Sequence, residues 1–122
     1  MIVIESVNHL GLTVANLEAS IKFYKELFDF EVFDNNSNQA FLKEGDIVLC
    51  LNEEADYKGQ ENTKNRVSFF VDEDDFDDAI DELKEKDIKI IFGPENIRKG
   101  RSVVFLDPDG NQIELCYPKI KV

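Results

Sequence analysis

Apolar and polar positions alternate along VNHLGLTV, residues 7–14. Leu10, Leu12 and Val14 fall on one face, and Val7, His9, Gly11 and Thr13 fall on the other. Period two predicts a strand with one aliphatic side. Asn16 suits a helix N-cap, because its short side chain carries an acceptor. Leu17, Ile21, Tyr24 and Phe28 follow at spacings that place them on one side of a helix. Three short strands are expected next, at about 30–34, 38–43 and 46–51, with KEGD at 43–46 forming the last turn. NEEADYKGQENTK, at 52–64, is polar and without period, as a linker would be.

The same order then recurs. NRVSFFVDEDDFDDAI lies over NHLGLTVANLEASI, so that Asn65 answers Asn8, Arg66 answers His9 and Val67 answers Leu10. Phe76 and Ile80 take the places of Leu17 and Ile21, and with Leu83 they predict a second helix at about 74–87. FLDPDGNQIEL lies over FLKEGDIVLCL, which pairs Glu114 with Cys50. The chain is therefore expected to hold two βαβββ modules: 1–52, a linker at 53–64, and 65–122. A period near 60 is too long for a solenoid of short units.

The repeat singles out His9, Cys50, Arg66 and Glu114 as equivalent positions. In each strand, alternation sets them opposite the aliphatic side that a helix should cover. A concave surface lined by an imidazole, a thiol, a guanidinium and a carboxylate is the expectation. Gly11, Thr13, Ser68, Phe70 and Gln112 should share that surface. A few convergent polar groups on such a surface are the usual mark of a small-molecule site.

Charge and composition narrow the partners. The net charge of −12 repels phosphate backbones, so nucleic acid is not expected. The first ten residues, MIVIESVNHL, lack the basic start and apolar core of a signal peptide. No stretch approaches the ~20 apolar residues of a membrane helix. A soluble cytoplasmic protein with no membrane partner follows, and its two cysteines, Cys50 and Cys116, are expected to be reduced.

Two segments carry a family resemblance. NHLGLTVANLEASIKFYKELFDFEV looks like the opening strand, helix and second strand of the vicinal oxygen chelate superfamily, and GRSVVFLDPDGNQIEL looks like its closing hairpin. That superfamily includes glyoxalases, extradiol dioxygenases, fosfomycin-resistance enzymes and bleomycin-resistance proteins. The resemblance implies an α+β fold in which two tandem βαβββ modules form a cup-shaped mixed sheet. It also implies a homodimer, and a divalent metal (Ni, Zn, Mn or Fe) held by the first and last strands of each module. His9 and Glu114 match the family's metal-ligand types at their positions. Arg66 stands where its metal enzymes usually carry histidine, and Cys50 where glyoxalases carry glutamate or glutamine.

Chemistry then weighs against a full metal site. A catalytic metal generally takes three protein ligands and an open position. Arginine is always protonated and cannot ligate. At ~6 Å and an effective dielectric of 20, its repulsion of a dication is about 5 kcal/mol. The resulting expectation is a small-molecule binding protein without a complete metal site or other cofactor, using His9, Cys50, Arg66, Ser68, Phe70, Gln112 and Glu114. Two enzymatic alternatives stay open. One is a metal-dependent lyase or isomerase resembling glyoxalase I. The other is a metal-free enzyme with His9 and Glu114 as acid and base. Arg66 is expected either to pair with Glu114 or to clamp a carboxylate or phosphonate. NIRKGR at 96–101 reads as an exposed basic turn, and DEDDFDDAIDE as the solvated face of the second helix.

Overall fold

A computed structural model describes residues 1–60 and 62–119. The chain divides into two compact units, Met1–Gly59 and Gln60 onward. Each is described by itself.

The first unit runs β1 (Leu10–Val14), α1 (Leu17–Phe28), β2 (Glu31–Asn35), β3 (Gln39–Glu44) and β4 (Ile47–Glu53). Its sheet has the order β1-β4-β3-β2, with β1 parallel to β4 and the other pairs antiparallel. Asn16 caps α1 as expected: its side chain accepts from the Ala19 N–H at 2.9 Å. Glu53, from the end of β4, accepts the Leu17 N–H at 2.7 Å, so two free donors of the first turn are satisfied. Asp29 ends the helix in the left-handed region, where its N–H reaches back to the Lys25 carbonyl. The helix lies over β3 and β4. Val14, Tyr24, Ala40, Leu42, Leu49 and Leu51 are fully buried there. Tyr24 meets Phe30 edge-on at 6.2 Å and stacks with Phe28 at 6.2 Å.

The second unit repeats the plan with β5 (Arg66–Phe70), α2 (Glu73–Glu85), β6 (Ile90–Ile97), β7 (Gly100–Leu106) and β8 (Gln112–Cys116). The order is β5-β8-β7-β6, and β5 runs parallel to β8. Phe76, Ile80 and Leu83 of α2 are buried, as are Val103, Phe105, Ile113 and Leu115 of the sheet. Asp72 caps α2 by accepting from the Asp74 N–H, and Glu73, Asp74 and Asp75 fill the first turn, where carboxylates suit the helix dipole. Arg101 crosses to Asp77 at 2.8 Å and lies over the Phe76 ring at 4.8 Å. The bond to Asp77 holds its guanidinium above its ordinary pKa, against the opposing pull of desolvation.

The expected βαβββ repeat is therefore present in both units. Two details differ from the pattern, in β1 and after β4, while the basic turn at 96–101 is exposed at Arg98 and Lys99 as expected. β1 starts at Leu10, not Val7, which leaves His9 before the strand and exposed. β4 runs on to Glu53, and the polar stretch after it belongs in part to the second unit. Gln60 donates its N–H to the Gly110 carbonyl at 2.8 Å, and Thr63 and Asn65 bond back to Gln60. The β6–β7 hairpin turns at Arg98 and Lys99, both exposed and both at positive φ, 39° and 63°. Gly100 follows, and a Cβ there would collide with the Tyr117 carbonyl oxygen.

Among the described residues, no helix is long and apolar enough to cross a membrane.

Candidate functional site

DPDGN builds the turn that aims β8. Asp107 accepts the N–H groups of Asp109 and Asn111 through one carboxylate oxygen, at 2.9 Å each, and the Asn111 side chain through the other, at 3.0 Å. Gly110 sits at φ 84°, a conformation that a side chain would strain. The chain then enters β8 with Gln112, Glu114 and Cys116 on the face away from α2.

Register places the neighbours of that face. Arg66 is opposite Gln112, Ser68 opposite Glu114 and Phe70 opposite Cys116. On the other side of β8, Ser102 is opposite Cys116 and Val104 opposite Glu114. The Glu114 carboxylate thus has a hydroxyl on each flanking strand. Ser68 donates to Oε1 at 2.7 Å, and Ser102 donates to Oε2 at 2.5 Å. Ser68 Oγ also lies 3.3 Å from Cys116 Sγ. Gln112 is buried, and its amide donates to the carbonyls of Gln60 and Thr63 at 2.8 and 2.5 Å.

Arg66 does not pair with Glu114, as one expectation had it. Its guanidinium lies over the Phe92 ring at 5.6 Å. Its Nε is buried and meets no acceptor among the described residues. The reason is local. Two serine hydroxyls occupy the carboxylate, while the ring from β6 offers the planar cation a face to stack on. Phe92 is half exposed, and Phe70, also on this face, is 73% exposed.

The other two predicted residues belong to the first unit. His9 approaches Phe41 edge-on at 5.6 Å, and its Nδ1 lies 2.9 Å from the Asn8 side-chain oxygen. Phe41 stands opposite Cys50 across β3–β4, and Gly11 stands opposite Cys50 across β1–β4. Cys50 is buried, with Sγ 3.7 Å from Asn52 Oδ1, which also accepts from Gln39 at 2.8 Å. So His9, Gly11, Cys50 and Phe41 share one sheet face, and Arg66, Ser68, Phe70, Gln112 and Glu114 share another. Tyr117 packs edge-on against Phe76 at 5.1 Å in the core.

Sequence reasoning missed two members of this constellation. Ser102 is one, although a lone hydroxyl inside the apolar run RSVVFL was a visible signal. Phe92 is the other, and nothing in its own strand marks it.

Donor chemistry for a dication is divided between the two units, with His9 and Cys50 in the first and Glu114 in the second. No group of three or more His, Cys, Asp or Glu side chains that could hold a metal ion occurs among the described residues. Glu114 accepts one hydroxyl on each oxygen and keeps about two acceptor sites. Arg66 has no lone pair to give.

Comparison with known proteins gives the setting. A sequence profile of the Glyoxalase/Bleomycin resistance protein/Dioxygenase superfamily matches residues 6–115. The metallothiol transferase FosB of Staphylococcus epidermidis is 36% identical over 115 residues, covering 92% of this chain and 81% of that protein. The glutathione transferase FosA of Serratia marcescens is 34% identical, covering 92% and 80%. Among solved structures, the fosfomycin resistance protein FosX of Mesorhizobium loti superposes with a TM-score of 0.79 at 26% identity, covering 97% of this chain and 96% of that one. FosX of Listeria monocytogenes, solved with Mn(II) and sulfate, has the same fold, with a TM-score of 0.84 at 23% identity. These relatives are transferases and resistance proteins, so the lyase or isomerase alternative drawn from glyoxalase I is not the one they favour. Nor do they support the expectation of no cofactor, since FosB is named for a metal and one FosX structure holds manganese.

Proposed function

Because the chain belongs to the Glyoxalase/Bleomycin resistance protein/Dioxygenase superfamily, we propose that it binds a small molecule bearing an oxyanion, with Arg66 as the clamp. The single observation behind this reading is the state of Arg66. Its guanidinium rests on Phe92 with Nε buried and unmatched among the described residues. An arginine fork in that position suits a carboxylate or phosphonate, which can accept two parallel N–H bonds. Ser68, Phe70 and Glu114 occupy the same sheet face and complete the surface, while Gln112 lies buried with its amide given to Gln60 and Thr63. In this reading the protein works without a complete metal site, because an arginine replaces a ligand and repels a dication. The reading extends to a homodimer, which light scattering coupled to gel filtration checks, and to a cytoplasmic location, which cell fractionation checks.

A second reading has support of its own. Identity of 36% to a metallothiol transferase favours metal-assisted group transfer to a small molecule, and this reading takes His9 and Glu114 as the ligands.

One experiment separates the two. Metal content is measured on the untagged protein as purified, and melting is followed with added Mn²⁺, Zn²⁺, Ni²⁺ and Fe²⁺. A metal at 100-fold its dissociation constant would add about 2.7 kcal/mol. The first reading expects no metal and no shift, with propylphosphonate binding that Arg66→Gln weakens. Near-stoichiometric metal, lost on His9→Ala, would replace it with the second.

A further inference from the structure

The face away from α2 carries two opposite charges, and neither has a counter-ion among the described residues. Arg66 stacks on Phe92, and Glu114 is held by Ser68 and Ser102, which are neutral. A carboxylate has about four acceptor sites, and two hydroxyls leave about two of them unused. Arg66 has five N–H donors and a buried Nε without an acceptor.

Their placement keeps them apart. Arg66 is opposite Gln112, and Ser68 is opposite Glu114, so the charges stand two residues apart along the strands. That is about 7 Å at the backbone. The guanidinium is drawn toward β6, and the carboxylate is fixed between β5 and β7. A cation and an anion on one sheet face, each turned to neutral partners, are two recognition points that one molecule could answer.

We propose that the ligand is a small zwitterion, whose oxyanion meets Arg66 and whose ammonium meets Glu114. The proposal rests on the reading of Arg66 as an oxyanion clamp and deepens it by naming the second charge. Three observations converge. An ammonium supplies donors for the lone pairs that Ser68 and Ser102 leave free. It takes up the Glu114 charge without the double charge that Arg66 opposes. Finally, the chain carries a net charge of −12, which repels a simple anion but not a molecule of zero net charge. Phe70 and Phe92 offer apolar surface for a short carbon body.

The test is calorimetric titration of the full chain with a matched set: aminopropylphosphonate, propylphosphonate and propylamine, and the corresponding aminobutyrate and butyrate. The zwitterion is expected to bind roughly tenfold or more tightly than the anion of the same length, the worth of one charge-assisted bond. That advantage should vanish in Glu114→Gln, while Arg66→Gln should weaken zwitterion and anion alike. The comparison of ligands on the unmodified protein stands even if a variant fails to fold. If the plain anion binds as tightly as the zwitterion, Glu114 takes no ammonium and this inference is wrong, while the clamp remains. If neither binds, the clamp itself is wrong and the inference goes with it.

Discussion

Ser68 stands directly opposite Glu114 on parallel strands and gives its hydroxyl to the carboxylate at 2.7 Å. Ser102 does the same from the other side of β8, so one carboxylate ties three strands together. Bonds to a charged acceptor are worth more than neutral ones, but Ser68 is exposed and water competes for it. Ser68→Ala should therefore cost about 1 kcal/mol, and Ser102→Ala more, since Ser102 is buried. Urea unfolding of the single and double variants gives both values and their coupling.

The two helix caps offer a paired test. Asn16→Ala removes an acceptor that the Ala19 N–H uses, and it should lower stability by about 1 kcal/mol. Asp72→Ala removes the equivalent acceptor on α2. Its cost should be smaller, because Glu73, Asp74 and Asp75 still face the positive end of the helix. Equal losses in denaturant melts would show that the acidic turn contributes nothing to holding that end.

Gly100 is needed for space. A Cβ there meets the backbone of Tyr117 and Pro118, which cannot rotate away. Gly100→Ala should destabilise by about 1–3 kcal/mol, as overpacking does. A thermal melt checks it, and a variant as stable as the parent would mean that the strand end moves aside freely.

Arg66→His tests the metal argument by reversing it. An imidazole at this position supplies a ligand type in place of a repelling charge. Melting of this variant should rise with Mn²⁺ or Zn²⁺ where the parent does not respond. No response would mean that the missing histidine is not what keeps a dication away.

Much of this was legible in the chain. Period-two alternation in VNHLGLTV and NRVSFFV, and the spacing of Leu17, Ile21, Tyr24 and Phe28, gave each βα pair, because burial of one face writes itself into every second or fourth position. The same alternation put Arg66, Ser68, Gln112 and Glu114 on one side of a sheet. What it did not give was who touches whom. Arg66 turned to Phe92, not to Glu114, because a ring on β6 and a hydroxyl on β7 compete for the two charges. That competition runs across strands, and no strand's own pattern records it. His9 fell outside β1 because alternation continues to Val7 while the ladder with β4 stops at the Leu10–Leu49 pair, although β4 itself begins at Ile47.

The bonds from Gln112 to the carbonyls of Gln60 and Thr63 also redraw the seam between the repeats. Read from composition, the second repeat opens at Asn65. Read from its bonds, it opens at Gln60, since those carbonyls satisfy a buried amide inside β8. A gene fragment begun at Asn65 would lose those two acceptors, whereas one begun at Gln60 keeps them. Duplication, permutation or splitting of this chain should therefore be tolerated at 55–59, ahead of the point where composition alone would place the join.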